Sequence, residues 1–213
     1  MNDYSKGFRF KKTELGVFNS NADHAVEDLK KDTRLIGLTR GQFSLIDLIH
    51  SCLKKTGPAK VICCTWSAGI KDANQARWML NSKLLDSFTL VTDHSFATRQ
   101  KKYALALEDL FGSENIRTSE VHAKFVLIQN DDWNISVRTS MNLNDNKTCE
   151  TFEIDDSKEI YDFYYNFVKS TFENTPQGFE PKSWVVNKAL DKFFGENKNE
   201  EKKEFGFFRM SNE

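Results

Sequence analysis

The sequence predicts an α/β sandwich, a mixed β-sheet flanked by helices, with a helical extension at its C-terminus. Three observations predict it. Short apolar runs bounded by turn residues alternate with segments of helical period between residues 33 and 111. The period then changes to strand-like alternation through residues 115–139. A long helical segment at 156–173 follows the last strand. Strands separated by helices and then a hairpin bury both sheet faces most simply under helices. With 213 residues, 39% hydrophobic and 29% charged, the chain affords one core of ordinary size. The 18 phenylalanines, beside 5 Tyr and 4 Trp, are expected to pack much of it.

The elements follow in order. Residues 1–32 are mixed; Phe8, Phe10, Leu15 and Phe18 mark an arm or short strand laid on the core. Residues 33–39 (TRLIGLT) form a strand. Residues 42–54 carry Leu45, Ile46, Ile49, Cys52 and Leu53 at helical spacing, and Gly57-Pro58 ends that helix. Residues 60–66 (KVICCTW) are a buried strand. Residues 72–82 are a helix with Ala73, Ala76, Met79 and Leu80 inward, and 87–92 a second buried strand. One helix is expected over 98–111, stopped by Gly112. Strands are expected at 115–121, 122–128 and 133–139, the last two joined by the turn Asn130-Asp131-Asp132. A polar loop covers 140–147, and a strand resumes at 151–154. The helix at 156–173 is capped by Asp156 or Ser157. Pro176, Gly178 and Pro181 break the chain before a last helix at 183–194. Residues 195–204 (GENKNEEKKE) read as a solvated linker, and Phe205–Met210 (FGFFRM) as an apolar terminus that docks. The expected organisation is an arm (1–32), a main domain (33–173) and a C-terminal helix with charged tail (174–213).

The composition excludes some roles. No apolar run approaches the ~20 residues of a membrane-spanning helix, and the charged N-terminus has no secretory apolar region. Cys52, Cys63, Cys64 and Cys149 form no C-x-x-C pair, and the four histidines show no zinc spacing with them. Reduced thiols in a cytoplasmic protein without metal or cofactor are the expectation. The net charge of −1 is unevenly spread. Residues 1–124 hold 19 basic and 14 acidic side chains, and residues 125–213 hold 11 and 17. The N-terminal part therefore carries +5 and the remainder −6.

The chemistry concentrates between residues 122 and 153. His122 and Lys124 are two apart, so a strand would present both on one face. Ser140 and Asn142 repeat that spacing after the hairpin. An ammonium, a hydroxyl and an amide at one sheet end make an anion site, and His122 adds a nucleophile or general acid/base. Glu150, with Glu153 as alternative, is the carboxylate expected to orient the imidazole. No other histidine in the chain is followed two residues on by lysine.

This pattern, H-x-K followed by S-x-N and a later Glu, resembles the phospholipase D superfamily. His122, Lys124, Ser140, Asn142 and Glu150 match its motif, and the stretch TSMNLNDN is similar to phospholipase D-like proteins of bacteria and phages. The strand and helix order over roughly residues 33–172 fits as well. Two positions depart: Gln129 stands where the family has Asp, with Asp131 and Asp132 nearby, and Thr139 stands where it has Gly. The resemblance implies a phospholipase D-like fold and a metal-independent phosphodiesterase working through a phosphohistidine. With one motif only, it implies a homodimer in which two copies of His122 face each other. The expected substrate is nucleic acid, DNA before RNA, and not membrane lipid. Trp66 and Ser67, after one buried strand, and Arg99 and Lys101, after the next, are the expected substrate contacts, since ligands gather at the carboxyl ends of such strands. The alternative is a member with a decayed site that binds nucleic acid or acts as a phage or mobile-element accessory factor.

Overall fold

The computed structural model describes residues 12–18, 20–145, 147–179 and 183–195. Phe8, Phe10, the charged stretch after Gly195 and Phe205–Met210 lie outside the described residues. Among the described residues eight strands, numbered in chain order, form one mixed sheet of order β1-β2-β8-β7-β6-β3-β4-β5, with helices on its faces.

The arm contributes β1 (Lys12–Phe18), an edge strand parallel to β2 (Thr33–Thr39), with the single turn α1 (Ala22–Ala25) between them. α2 (Leu45–Thr56) starts later than the spacing predicts because Ser44 and Asp47 close a capping box. It ends at Gly57, whose φ of +82° only glycine adopts without strain. β3 (Ala59–Thr65), α3 (Ile70–Asn81) and β4 (Leu85–Asp93) follow, with β3 and β4 parallel. The helix expected over 98–111 is broken. Gln100, at φ −137° and ψ 49°, separates α4 (Phe96–Arg99) from α5 (Lys101–Phe111). β5 (Ile116–Ser119) is shorter than expected and completes the parallel edge.

The next strand also begins late. β6 (Phe125–Gln129) leaves His122 and Lys124 ahead of the ladder. β7 (Asn134–Thr139) and β8 (Glu150–Asp156) follow antiparallel, and β8 inserts between β7 and β2. Ser157 caps α6 (Lys158–Asn174), and α7 (Ser183–Phe194) packs on it through Phe167 and Phe193, ring centroids 5.4 Å apart.

Strand alternation divides the core in two. Val61, Cys63, Val126 and Ile128 face the layer of α2, α3 and α5. Cys64, Phe125 and Leu127 face Tyr161 and Val168 of α6. Adjacent Cys63 and Cys64 thus serve opposite faces, as a pleated strand requires. Burial pushes the Cys52 thiol up to about 12, and those of Cys63 and Cys64 above their usual range. The first core also holds Phe152 between Phe18 and Phe43, at 5.5 and 5.8 Å. Gly37 makes room for that ring, since a Cβ there would lie 2.2 Å from Phe152 Cζ.

Candidate active site

All the chemistry-bearing segments reach the same end of the sheet. β3, β4 and β5 run parallel and end there, β7 ends there, and β6 and β8 begin there. The loops at this end carry the side chains that the sequence singles out.

His122 is exposed and Lys124 half-buried, in extended chain ahead of β6. The Lys124 Nζ donates to the His122 carbonyl at 2.8 Å and lies 3.3 Å from His122 Nδ1. They therefore meet by direct contact, where the sequence expected a shared strand face. An ammonium has no lone pair, so in this contact Nδ1 can only be the acceptor. Burial lowers the Lys124 pKa, and the Glu150 carboxylate opposes that shift.

Ser140 Oγ donates to Glu150 Oε2 and accepts from the Thr151 N–H at 3.0 Å. Thr148 Oγ1 donates to the other Glu150 oxygen at 3.0 Å. Glu150 is buried at the first residue of β8, so its hydroxyl partners offset the desolvation of its charge. Glu153 is committed elsewhere: it meets Arg34 at 2.9 Å and Arg138 at 3.0 and 3.1 Å. Thr139, where the family pattern has Gly, braces the turn. Its hydroxyl donates to Thr151 O at 2.7 Å and accepts from Met141 N–H at 3.0 Å.

Asn142 is tied to β3. Its Oδ1 lies 3.3 Å from Thr65 Oγ1, which also accepts from Leu143 N–H at 3.1 Å and has Ser67 O at 2.8 Å. Asn144 Nδ2 donates to Ser67 Oγ at 3.3 Å. Trp66, between these anchors, has its ring centroid 5.5 Å from that of His122. The Arg99 guanidinium lies 3.9 Å from the Trp66 ring centroid and donates to the Trp66 carbonyl at 3.3 Å. Ser95 Oγ accepts from Arg99 Nε at 3.0 Å and fixes its direction. Lys101, exposed at the start of α5 beyond the Gln100 break, has no hydrogen bond or ion pair to this cluster among the described residues.

Gln129 lies at the opposite end of β6. Its amide donates to Asn134 Oδ1 at 3.2 Å and accepts from Tyr161 OH at 3.4 Å. Asp131 and Asp132 are exposed in the hairpin turn beside it. The residue at the motif's Asp position is thus a brace between β6, β7 and α6, far along the strand from His122. Among the described residues no three His, Cys, Asp or Glu side chains group as a metal site.

Sequence reasoning missed Thr65, which holds Asn142, and the aromatic wall beside His122. Phe163 and Phe167 of α6 with Phe193 and Phe194 of α7 line a groove of about 290 Å³ that opens on His122 and Ala123. The helical spacing of 183–194 carried a signal for that wall, but only packing shows which groups it meets.

No family model and no curated protein matches the chain. Among solved structures it is similar to NucT from Helicobacter pylori, at 15% identity and TM-score 0.48 over 68% of this chain and 99% of that one. It is similar to the phospholipase D family member Nuc from Salmonella typhimurium, at 11% identity and TM-score 0.47 over 69% and 98%. Phosphatidylserine synthase from Haemophilus influenzae Rd KW20 gives 16% identity and TM-score 0.48 over 76% of this chain and 44% of that one. These likenesses concern the course of the backbone alone.

Proposed function

We propose that the chain is a phosphodiesterase, a nuclease of the phospholipase D-like type, acting as a homodimer without a metal. The observation that carries this reading is the His122–Lys124 contact, 3.3 Å, beside Ser140 and Glu150 at the loop end of the sheet. An exposed imidazole next to an ammonium and neutral donors suits attack on a phosphodiester. Lys124, Ser140 and Asn142 would hold the non-bridging oxygens as charge builds on them.

In the proposed reaction one His122 forms an N–P bond as the P–O bond to the leaving group breaks. His122 of the partner subunit gives its proton to the leaving oxygen. Water then attacks phosphorus, loses a proton to that second imidazole, and releases the phosphate monoester and free His122. The proton-donating copy must be an imidazolium, with a proton on each ring nitrogen, so its Nδ1 has to give up the contact with the Lys124 ammonium. The nucleophilic copy needs the neutral tautomer with Nδ1–H on a carboxylate, and Glu150 is the buried carboxylate nearest in role. Trp66 and Arg99 are proposed to receive a base and a phosphate beside the cleaved bond. Lys101 is proposed as a more distant phosphate contact, and DNA is the preferred polymer.

The test is incubation of full-length protein with single- and double-stranded DNA and RNA in EDTA, beside His122→Asn. Hydrolysis by the wild type alone, with phosphate label trapped on His122, is expected. A metal requirement, or equal hydrolysis by the variant, would overturn the mechanism. A monomer mass in solution under assay conditions would overturn the dimer.

A further inference from the structure

A second groove lies on the other flank of α6, at the sheet end away from His122. Its volume is about 340 Å³. The floor is the row Gln129, Lys60 and Ser87, neighbours in register across β6, β3 and β4, with Ile62 and Thr89 in the next row. The wall is the stripe Tyr161, Tyr165, Val168 and Phe172 of α6. This groove exists because short polar residues on β4 face a helix stripe of aromatic ones, so the two surfaces do not interdigitate.

Three features point to a ligand. Lys60 and Lys169 both border the groove, and neither has an anionic partner among the described residues. Two lysines against the single carboxylate of Glu173 on the rim leave this concave site net positive, which favours an anion. The aromatic wall is pre-set: Tyr161 and Tyr165 stack at 5.9 Å and 20°, with Tyr165 39% exposed. Phe172 is held by the Arg117 guanidinium, 4.3 Å from its ring centroid, which is itself fixed on the carbonyls of Ile116 at 2.8 Å and Glu114 at 3.0 Å. Finally, the hydroxyls of Ser87 and Thr89 face this space, while Tyr161 and Gln129 already satisfy each other.

We propose that this groove binds a free mononucleotide. Its base stacks on Tyr165 and Phe172, its phosphate lies between Lys60 and Lys169, and Ser87, Thr89 and the rim carboxylate of Glu173 meet the sugar hydroxyls. A volume of about 340 Å³ suits one nucleotide and not a strand. The proposal does not depend on phosphodiester hydrolysis at His122.

Calorimetric titration of the full chain with AMP tests it, with adenosine and inorganic phosphate as separate probes. AMP should bind at one site per chain. Each half-ligand should bind at least about tenfold more weakly, since either lacks one of the two contacts. Lys60→Ala with Lys169→Ala should weaken AMP by about tenfold or more, with an unchanged circular dichroism spectrum because both side chains are exposed. His122→Asn should leave AMP affinity unchanged. Absence of saturable AMP binding would overturn the proposal. So would full affinity in the double lysine variant, loss of affinity in His122→Asn, or a phosphorylated dinucleotide binding tenfold tighter than AMP.

Discussion

The two ends of the sheet use the same residue types in opposite ways. At the His122 end, Lys124, Ser140, Asn142 and Thr139 bond one another's neighbours around one exposed imidazole. At the other end, polar side chains close the backbone. Asn130 donates to the carbonyls of Thr56 and Pro58 at 3.0 and 3.1 Å and accepts from the N–H groups of Asp132 and Trp133 at 3.0 and 2.9 Å. Lys31 adds a donor to the Asp132 carbonyl and stacks 3.8 Å from the Trp133 ring centroid. One end is therefore a turn region in which side chains satisfy main-chain groups. The other keeps one imidazole exposed among such braces. Residue type alone does not separate a brace from a reactive group; the partner does.

The sharpest test of this contrast is His122→Asn. Hydrolysis should fall by about 10⁴-fold while the unfolding temperature stays put, as follows if the exposed imidazole is the proposed nucleophile. A large loss of stability would make the His122 end a structural one. Asn130→Ala should do the reverse. Stability should fall by about 2 kcal/mol, measured by denaturant unfolding, with kcat unchanged. Reduced kcat there would break the separation of the two ends.

Much of this division was legible in the sequence, and the reason is local. Ser157 as cap, the hairpin turn at 130–132 and the His122, Lys124, Ser140, Asn142 spacing depend on neighbours in the chain. What escaped depends on distant pairing. Nothing near Glu150 says that β8 enters between β2 and β7, and that placement commits Glu153 to Arg34 and Arg138. The Gln100 break escaped because helical spacing on both sides is continuous. The aromatic wall beside His122 escaped because it needs α7 folded back on α6.

Smaller effects refine the contrast. Trp66→Ala should raise KM for a nucleic-acid substrate by about tenfold with little change in kcat, the usual worth of one stacked base. An equal fall in kcat would place Trp66 in the support of His122 instead. Asp72, buried near the first turn of α3, has one oxygen without a hydrogen-bond partner. Burial raises its pKa from 3.8 to about 6, with Asp47 and Asp145 adding to the rise and Lys71 opposing it. A raised carboxylate pKa contributes stability below 3.8 that is lost as pH rises through about 6. Asp72→Asn should therefore melt higher than wild type at pH 7, and the gap should close towards pH 4. A gap independent of pH would assign the effect to packing.

The four cysteines carry a practical consequence. Three are buried, with thiols that burial keeps protonated, and Cys149 alone is exposed, one residue before Glu150. A maleimide dye under native conditions should therefore attach once, beside Glu150, without any engineered handle. The fluorescence of that single label would report occupancy and closure around Glu150 directly. Its quenching by a second labelled copy would measure how near two such ends come.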